Sequence, residues 1–249
     1  MLPSPFHERR RSHIDSTGSN ADRRRRELAT WLETQGGLEN VELVPASEDA
    51  SFRRYFRVHT PDGSRIAMDA PPDRENSDAF IRIAGYLERI GVNSPRILAA
   101  DPARGFLLLT DLGSLPYLTE LENNPARADR LYGDALAALA RIQERGRRFQ
   151  SALPRYDDAL LSFELSLFRD WLCGRHLGFD LTGSAEAAWN DICGVLIQNA
   201  LRQPRVFVHR DYHSRNLMVT NRNSPGILDF QDAVEGPLTY DLVSLLKDC

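Results

Sequence analysis

Three polar residues near the end of this 249-residue chain have types and spacing that suit phosphoryl chemistry. Asp211 follows the apolar run Val206-Phe207-Val208 and the pair His209-Arg210. Asn216 stands five places further on, and Asp229 closes a second apolar run, Gly226-Ile227-Leu228, ahead of Phe230. A carboxylate at Asp211 can orient an attacking hydroxyl and accept its proton. Asn216 offers a neutral amide oxygen to a hard cation, and Asp229 offers a charged one. Mg²⁺ takes few protein oxygens and fills its shell with water and phosphate, so one acid, one amide and a nucleotide triphosphate suit it. A lone His-Arg-Asp is common by chance. Three such elements in register, each beside an apolar run, are far more specific. The pattern points to phosphoryl transfer from ATP to an alcohol, with Asp211 as the catalytic base and Asn216 and Asp229 as metal ligands, Asn216 also touching the nucleotide site.

Strands must position these residues, and the flanking patterns supply them. Val206–Val208, Asn216–Thr220 and Gly226–Leu228 read as three short strands joined by polar loops. Upstream, Leu28, Trp31 and Leu32 have helical spacing within residues 26–35. Val41–Pro45, Phe52–His59 and Ile66–Asp69 read as strands, the last two joined at Asp62-Gly63, with 46–51 a polar turn. Ser77 to Ile90 reads as a helix ended by Gly91, and Phe106–Leu109 as a buried strand leaving through Thr110-Asp111-Leu112-Gly113. From Pro125 the pattern is helical. Apolar stripes are expected at Leu131, Ala135, Leu136, Leu139 and Ile142; at Phe163, Leu167, Phe168, Trp171 and Leu172; and at Trp189, Ile192, Leu196, Ile197 and Ala200. The second of these helices also carries Glu164, Asp170, Arg175 and His176, polar groups suited to a sugar acceptor. Gly236-Pro237 is expected to turn the chain before a last helix from Thr239.

Composition bounds the class. An apolar share of 42% with 27% charged residues and net charge −4 describes a soluble globular protein with no nucleic-acid or membrane partner implied. The basic run Arg23–Arg26 is read as the solvated start of a helix. No stretch is long enough to cross a bilayer, and the polar N-terminus is not a secretory signal. Cys173, Cys193 and Cys249 lack metal-ligand spacing and cannot all pair, so they read as reduced thiols in a cytoplasmic protein.

The block His209–Met218 resembles the aminoglycoside phosphotransferase and choline kinase superfamily. The continuation Leu228–Cys249, with Ala50–Arg57 and Met68-Asp69-Ala70-Pro71-Pro72, is similar to the bacterial kinases that phosphorylate N-acetylmuramate and N-acetylglucosamine at the anomeric hydroxyl in cell-wall recycling. The resemblance spans roughly residues 46–249. It implies a two-lobed, protein-kinase-like α+β fold: a disordered extension over 1–25, an antiparallel β lobe with one helix over 26–109, a hinge at 110–113, and a mostly helical lobe over 114–249. It implies ATP and Mg²⁺ as cofactors, with Thr110 and Leu112 at the adenine, and it gives Asp241 the task of bracing the catalytic loop. The resembled kinases continue past this point, so the second lobe is expected to be incomplete.

One departure stands out. Kinases carry a lysine on the third strand of the first lobe, and the only lysine here is Lys247. Met68 or Asp69 occupies the place. Arg53, Arg54, Arg57 and Arg65 could supply the missing charge, with Arg53 and Arg54 favoured. Two rivals remain open: a kinase of another small alcohol or an aminoglycoside, and a degraded kinase that binds nucleotide or a partner. A protein kinase fits less well, because Gln231 replaces the glycine after Asp-Phe and no Ala-Pro-Glu segment follows.

Overall fold

Trp31, Leu28 and Leu32 are buried against Phe56, Val58, Ala67, Phe106 and Leu108, and that cluster assembles the first half of the chain. The computed structural model describes residues 21–48 and 52–248. The disorder expected over 1–20, the polar residues 49–51 and Cys249 lie outside the described residues. Two compact units result, Met1–Arg82 with Pro95–Ser114, and Ile83–Ser94 with Leu115–Cys249. Among the described residues, no helix is long and apolar enough to cross a membrane.

The first unit is a five-stranded antiparallel sheet in the order β1-β2-β3-β5-β4, built from β1 (Val44–Glu48), β2 (Arg54–Thr60), β3 (Gly63–Asp69), β4 (Ile97–Asp101) and β5 (Phe106–Thr110). Phe56 and Val58 of β2 pair with Ala67 and Arg65 of β3, and Ala67 pairs with Leu108 of β5. The period of two in a pleated strand turns Phe56, Val58, Ala67 and Leu108 to one face. The helix α1 (residues 21–34) lies on that face, with Trp31 inclined to Phe106 at 6.0 Å. Burying each of its large apolar side chains contributes about 1.5–3 kcal/mol. Gly105, at φ +74°, precedes β5 because a Cβ there would lie 1.7 Å from the Ala70 carbonyl oxygen.

α1 is already helical at residue 21, so Arg23–Arg25 belong to the folded unit and not to an extension. The reason is tertiary. Arg24 donates to the Asp69 carboxylate from Nε (2.9 Å) and Nη2 (2.5 Å) and stacks over Phe106, while Arg25 donates to the Leu43 carbonyl at 2.6 Å. Asp69 is fully buried, and Arg54 of β2 donates to its other oxygen. Of the two residues that could stand at the kinase lysine's place, Met68 is fully buried and Asp69 is a carboxylate gripped by two arginines.

In the second unit, α2 (Ser77–Ile90) arrives from the first. α3 (Tyr117–Asn123), α4 (Ala128–Arg145), α5 (Arg147–Gln150), α6 (Asp158–Leu167) and α7 (Ser184–Arg202) follow. A π-helical stretch, Phe168–His176, extends α6. Next come the pairs β6 (Arg205–Val208) with β9 (Val234–Pro237) and β7 (Leu217–Met218) with β8 (Gly226–Ile227), then α8 (Tyr240–Leu246). Gly236-Pro237 therefore closes a strand; it does not form a turn. Its pairing across the chain to Val206 and Arg205 is a contact that local sequence does not announce. α4 buries Leu131, Ala135, Ala138, Leu139 and Ile142, with Leu136 exposed. Gly146 ends α4 where a Cβ would meet the Ile142 oxygen at 2.2 Å and Phe207 of β6 at 2.8 Å.

The other two expected core stripes are not core. Phe163, Leu167, Phe168, Trp171, Leu172, Ile192 and Leu196 are exposed, Trp189 is half-buried against Phe168, and Ile197 is buried. Helical spacing of apolar residues shows that a face wants cover, and it does not supply the cover.

The Asp69 cluster yields a first prediction. Asp69→Ala removes the counter-charge of two guanidiniums, and Arg54 is nearly a third exposed, at 31%. Discounted for that exposure, the loss is about 2–4 kcal/mol in urea denaturation. A cost under about 1 kcal/mol would show that the cluster contributes little to stability.

Candidate active site

β6 delivers the chain into the loop His209–Asn216, and the loop is pinned at both ends. The fully buried Asp241 carboxylate, in the first turn of α8, accepts the backbone N–H of His209 at 2.7 Å and of Arg210 at 3.0 Å. Burial pushes this carboxyl up to about 7, and the two N–H bonds and the Asp211 charge act against and with that rise respectively. Tyr212, also fully buried, donates to the Ala135 carbonyl of α4 at 2.8 Å, and Ser214 N–H donates to Asp248 at 2.5 Å. Burial pushes the His209 imidazole down to about 3, opposed by the Leu228 backbone, so the ring is neutral at pH 7 and packs edge-on to Tyr212.

These ties hold a strained conformation. Arg210 sits at φ +79° and Asp229 at φ +60°, both in the left-handed region. A non-glycine residue pays of order 1 kcal/mol or more there and stays only when its surroundings dictate it. The strained residues flank the candidate catalytic group on the one loop and constitute the candidate metal ligand on the other.

The geometry brings Asp211, Asn216 and Asp229 together. The Asn216 amide NH₂ donates to the Asp211 carbonyl at 3.0 Å and approaches the Asp229 carboxylate at 3.4 Å. Asn216 N–H donates to the His213 carbonyl and Leu228 N–H to the Asn216 carbonyl, so the two loops are stitched by backbone as well. Burial, then the charge of Asp229, holds the Asp211 carboxyl above its ordinary value. Two neighbouring carboxylates gain from a cation between them.

The donor set fits a hard divalent cation. Asn216 commits its NH₂ to protein oxygens, so its amide oxygen is the atom it could offer a cation. Asp229 keeps one oxygen on the Gln231 amide at 2.7 Å. Among the described residues no cluster of three or more His, Cys, Asp or Glu side chains forms a metal cage.

The sequence-chosen residues of the first unit have other partners. Arg53 pairs with Glu75 at 2.8 Å, and Arg54 pairs with Asp69 and the Ala21 carbonyl. Thr110 donates its N–H to the Arg96 carbonyl and accepts the Arg96 N–H on its hydroxyl, both at 2.9 Å. Leu112 is half-buried between Asp111 and Gly113. That segment is clamped: Asp111 accepts from Arg57 (2.6 Å), the Ser64 hydroxyl (2.7 Å) and Gly113 N–H (2.9 Å), and Arg57 also reaches the Gly113 carbonyl. Burial disfavours the Asp111 charge, yet Arg57, Ser64 and Gly113 together hold its carboxyl below the ordinary value.

Sequence reasoning missed the Asp111 clamp and the grip of Gln231 on Asp229. A signal for the second existed, a polar amide where kinases place glycine. Glu164, among the polar groups suited to a sugar acceptor, receives Arg210 at 2.5 Å.

A family model described as the phosphotransferase enzyme family matches residues 42–249. A Pseudomonas aeruginosa protein called N-acetylmuramate/N-acetylglucosamine kinase is 49% identical over 237 residues, covering 91% of this chain and 69% of that one. A Neisseria meningitidis protein of the same name is 40% identical, covering 89% of this chain and 66% of its own length. Among solved structures, an aminoglycoside phosphotransferase complexed with GDP and kanamycin superposes with a TM-score of 0.62 at 17% identity, over 90% of this chain and 78% of that one. A choline kinase from Streptococcus pneumoniae gives 0.60 at 13%, over 89% and 74%. These two show the shared protein-kinase-like fold.

Asp241→Ala strands two backbone donors beneath a strained residue. The expected cost is about 2–4 kcal/mol in chemical denaturation, with faster amide exchange at His209 and Arg210. A loss under about 1 kcal/mol with unchanged exchange would show that α8 does not hold the loop.

Proposed function

Since the chain belongs to the phosphotransferase enzyme family, we propose that it transfers the terminal phosphoryl group of ATP to the anomeric hydroxyl of N-acetylmuramate or N-acetylglucosamine. The convergence of Asp211, Asn216 and Asp229 on two strained, braced loops carries the chemical part of this reading. The names of relatives up to 49% identical support the choice of sugar.

In this mechanism Asp211 accepts a hydrogen bond from the sugar hydroxyl, aligns its oxygen for attack and takes up its proton. An anomeric hydroxyl is more acidic than an ordinary sugar alcohol, so a carboxylate is an adequate base, and the raised proton affinity of Asp211 improves it. Asn216 and Asp229 would hold Mg²⁺, which neutralises charge on the phosphates when bound. Phosphoryl transfer asks the protein for positioning and charge balance more than for covalent chemistry. The reaction uses little of the protein beyond rigid placement, which the braced loops favour.

The arginines chosen for the missing strand lysine are engaged within the sheet unit. Arg53 pairs with Glu75, and Arg54, on the α1 face with Phe56, pairs with Asp69 and the Ala21 carbonyl. The Arg57–Asp111 clamp would keep Thr110 and Leu112 in place for an adenine.

The direct test is phosphorus NMR of the protein with Mg-ATP and either amino sugar, beside an aminoglycoside panel. A sugar 1-phosphate signal is expected; phosphorylation of an aminoglycoside alone would replace the substrate assignment. Asp211→Asn is expected to reduce turnover by at least about 10²-fold with Mg-ATP affinity nearly unchanged by calorimetry. Asp229→Ala is expected to lose the Mg²⁺ dependence of ATP binding, and unchanged affinity with Mg²⁺ would remove Asp229 from the metal site.

A further inference from the structure

Glu164 lies on α6, remote in sequence from the catalytic loop, yet three side chains converge on it. One carboxylate oxygen receives Arg210 Nη2 at 2.5 Å; the other receives the Tyr156 hydroxyl, with the Tyr240 hydroxyl at 3.4 Å. Tyr156 and Tyr240 meet edge to face at 5.2 Å. Every member is anchored independently. Asp157 caps α6 by accepting Leu160 N–H at 3.0 Å, which fixes the turn that carries Glu164. Tyr156 N–H donates to the Glu235 carbonyl of β9 at 2.9 Å, and its side chain packs on Gly236, where a Cβ would come within 3.1 Å of the Tyr156 Cβ. β9 pairs with β6, and β6 leads into the loop. Tyr240 sits next to Asp241, the acid that holds the Arg210 N–H.

We propose that Glu164 is a positioning residue for Asp211: it fixes the Arg210 side chain while Asp241 fixes the Arg210 backbone, so that the left-handed residue immediately before the catalytic carboxylate has one conformation. Either tie alone leaves a rotation free. The N–H bond sets the peptide plane, and the guanidinium bond sets the direction in which the side chain leaves it. The strain at φ +79° gives the residue a reason to relax whenever one tie is lost. Relaxation at position 210 swings the Asp211 carboxylate, and a misplacement of ~1 Å can cost about 10²-fold in rate. This inference rests on Asp211 being the catalytic base of the function proposed above, and it assigns Glu164 no contact with the sugar.

The test compares Glu164→Ala and Glu164→Gln in the full chain. The glutamine keeps an oxygen for Arg210 and turns its NH₂ to the Tyr156 hydroxyl, so the geometry survives without the charge. With Mg-ATP and N-acetylmuramate, Glu164→Ala is expected to lose about 10–100-fold in kcat with both KM values within about twofold, and Glu164→Gln is expected to retain kcat within about threefold. Amide exchange at Arg210, read without substrate, is expected to quicken about tenfold in Glu164→Ala and not in Glu164→Gln. A raised KM for the sugar with kcat preserved would make Glu164 an acceptor contact and overturn the proposal. So would equal kcat loss in both variants, which would assign the effect to charge, or unchanged exchange in Glu164→Ala. If the native protein phosphorylates no sugar, the functional reading fails while the exchange measurement still decides the clamp.

Discussion

Two backbone N–H groups bound to one buried carboxylate hold the candidate active loop of this protein. His209 and Arg210 both donate to Asp241, and the remaining features of the loop follow from that bond pair. Arg210 could not persist at a positive φ in a free loop, because its Cβ crowds the backbone there. With its N–H fixed, the chain leaves β6, reverses within one residue and presents Asp211 beside Asn216. Burying a carboxylate is costly, and the donors aimed at it offset the cost. The same bonds that make Asp241 tolerable make Arg210 rigid.

The second unit treats another strained position in the same way. Asp229 is left-handed at the end of β8, with Gln231 on one oxygen and the Asn216 amide near the other. Aspartate tolerates that backbone region better than most residues, so one residue type serves both the turn and the charge. Asn216 then links the two loops by a side chain with no net charge. A third carboxylate in its place would raise the repulsion that burial already amplifies between Asp211 and Asp229.

Charge in the first unit follows another rule. The near-absence of lysine forces arginine into every cationic role, and arginine comes with a planar fork that seeks a carboxylate. Asp69 and Asp111 each become the hub of such a fork, one tying α1 to the sheet and the other tying β2 and β3 to the segment after β5. A lysine on β3 would have stood as a point charge; an aspartate there recruits two arginines and leaves a shared, net positive cluster.

Much of this was legible in the residues themselves. The strand-loop-strand spacing from Val206 to Phe230 marked Asp211, Asn216 and Asp229, because catalytic geometry is local there and needs fixed residue types at fixed separations. The helix at 77–90 was legible with its bounds, and the helix at 128–145 by most of its apolar stripe, because amphipathic period and end signals are properties of the chain alone. What the sequence by itself could not determine was partnership. Nothing local told that Arg24 and Arg54 would share Asp69, that Val234–Pro237 would pair with β6, or that Glu164 would receive Arg210. Nor could periodicity tell that the apolar faces of α6 and α7 would stand exposed while that of α4 is buried. A side chain's type limits the bonds it can make, but which partner comes within 3 Å is decided by elements that meet only in the folded chain.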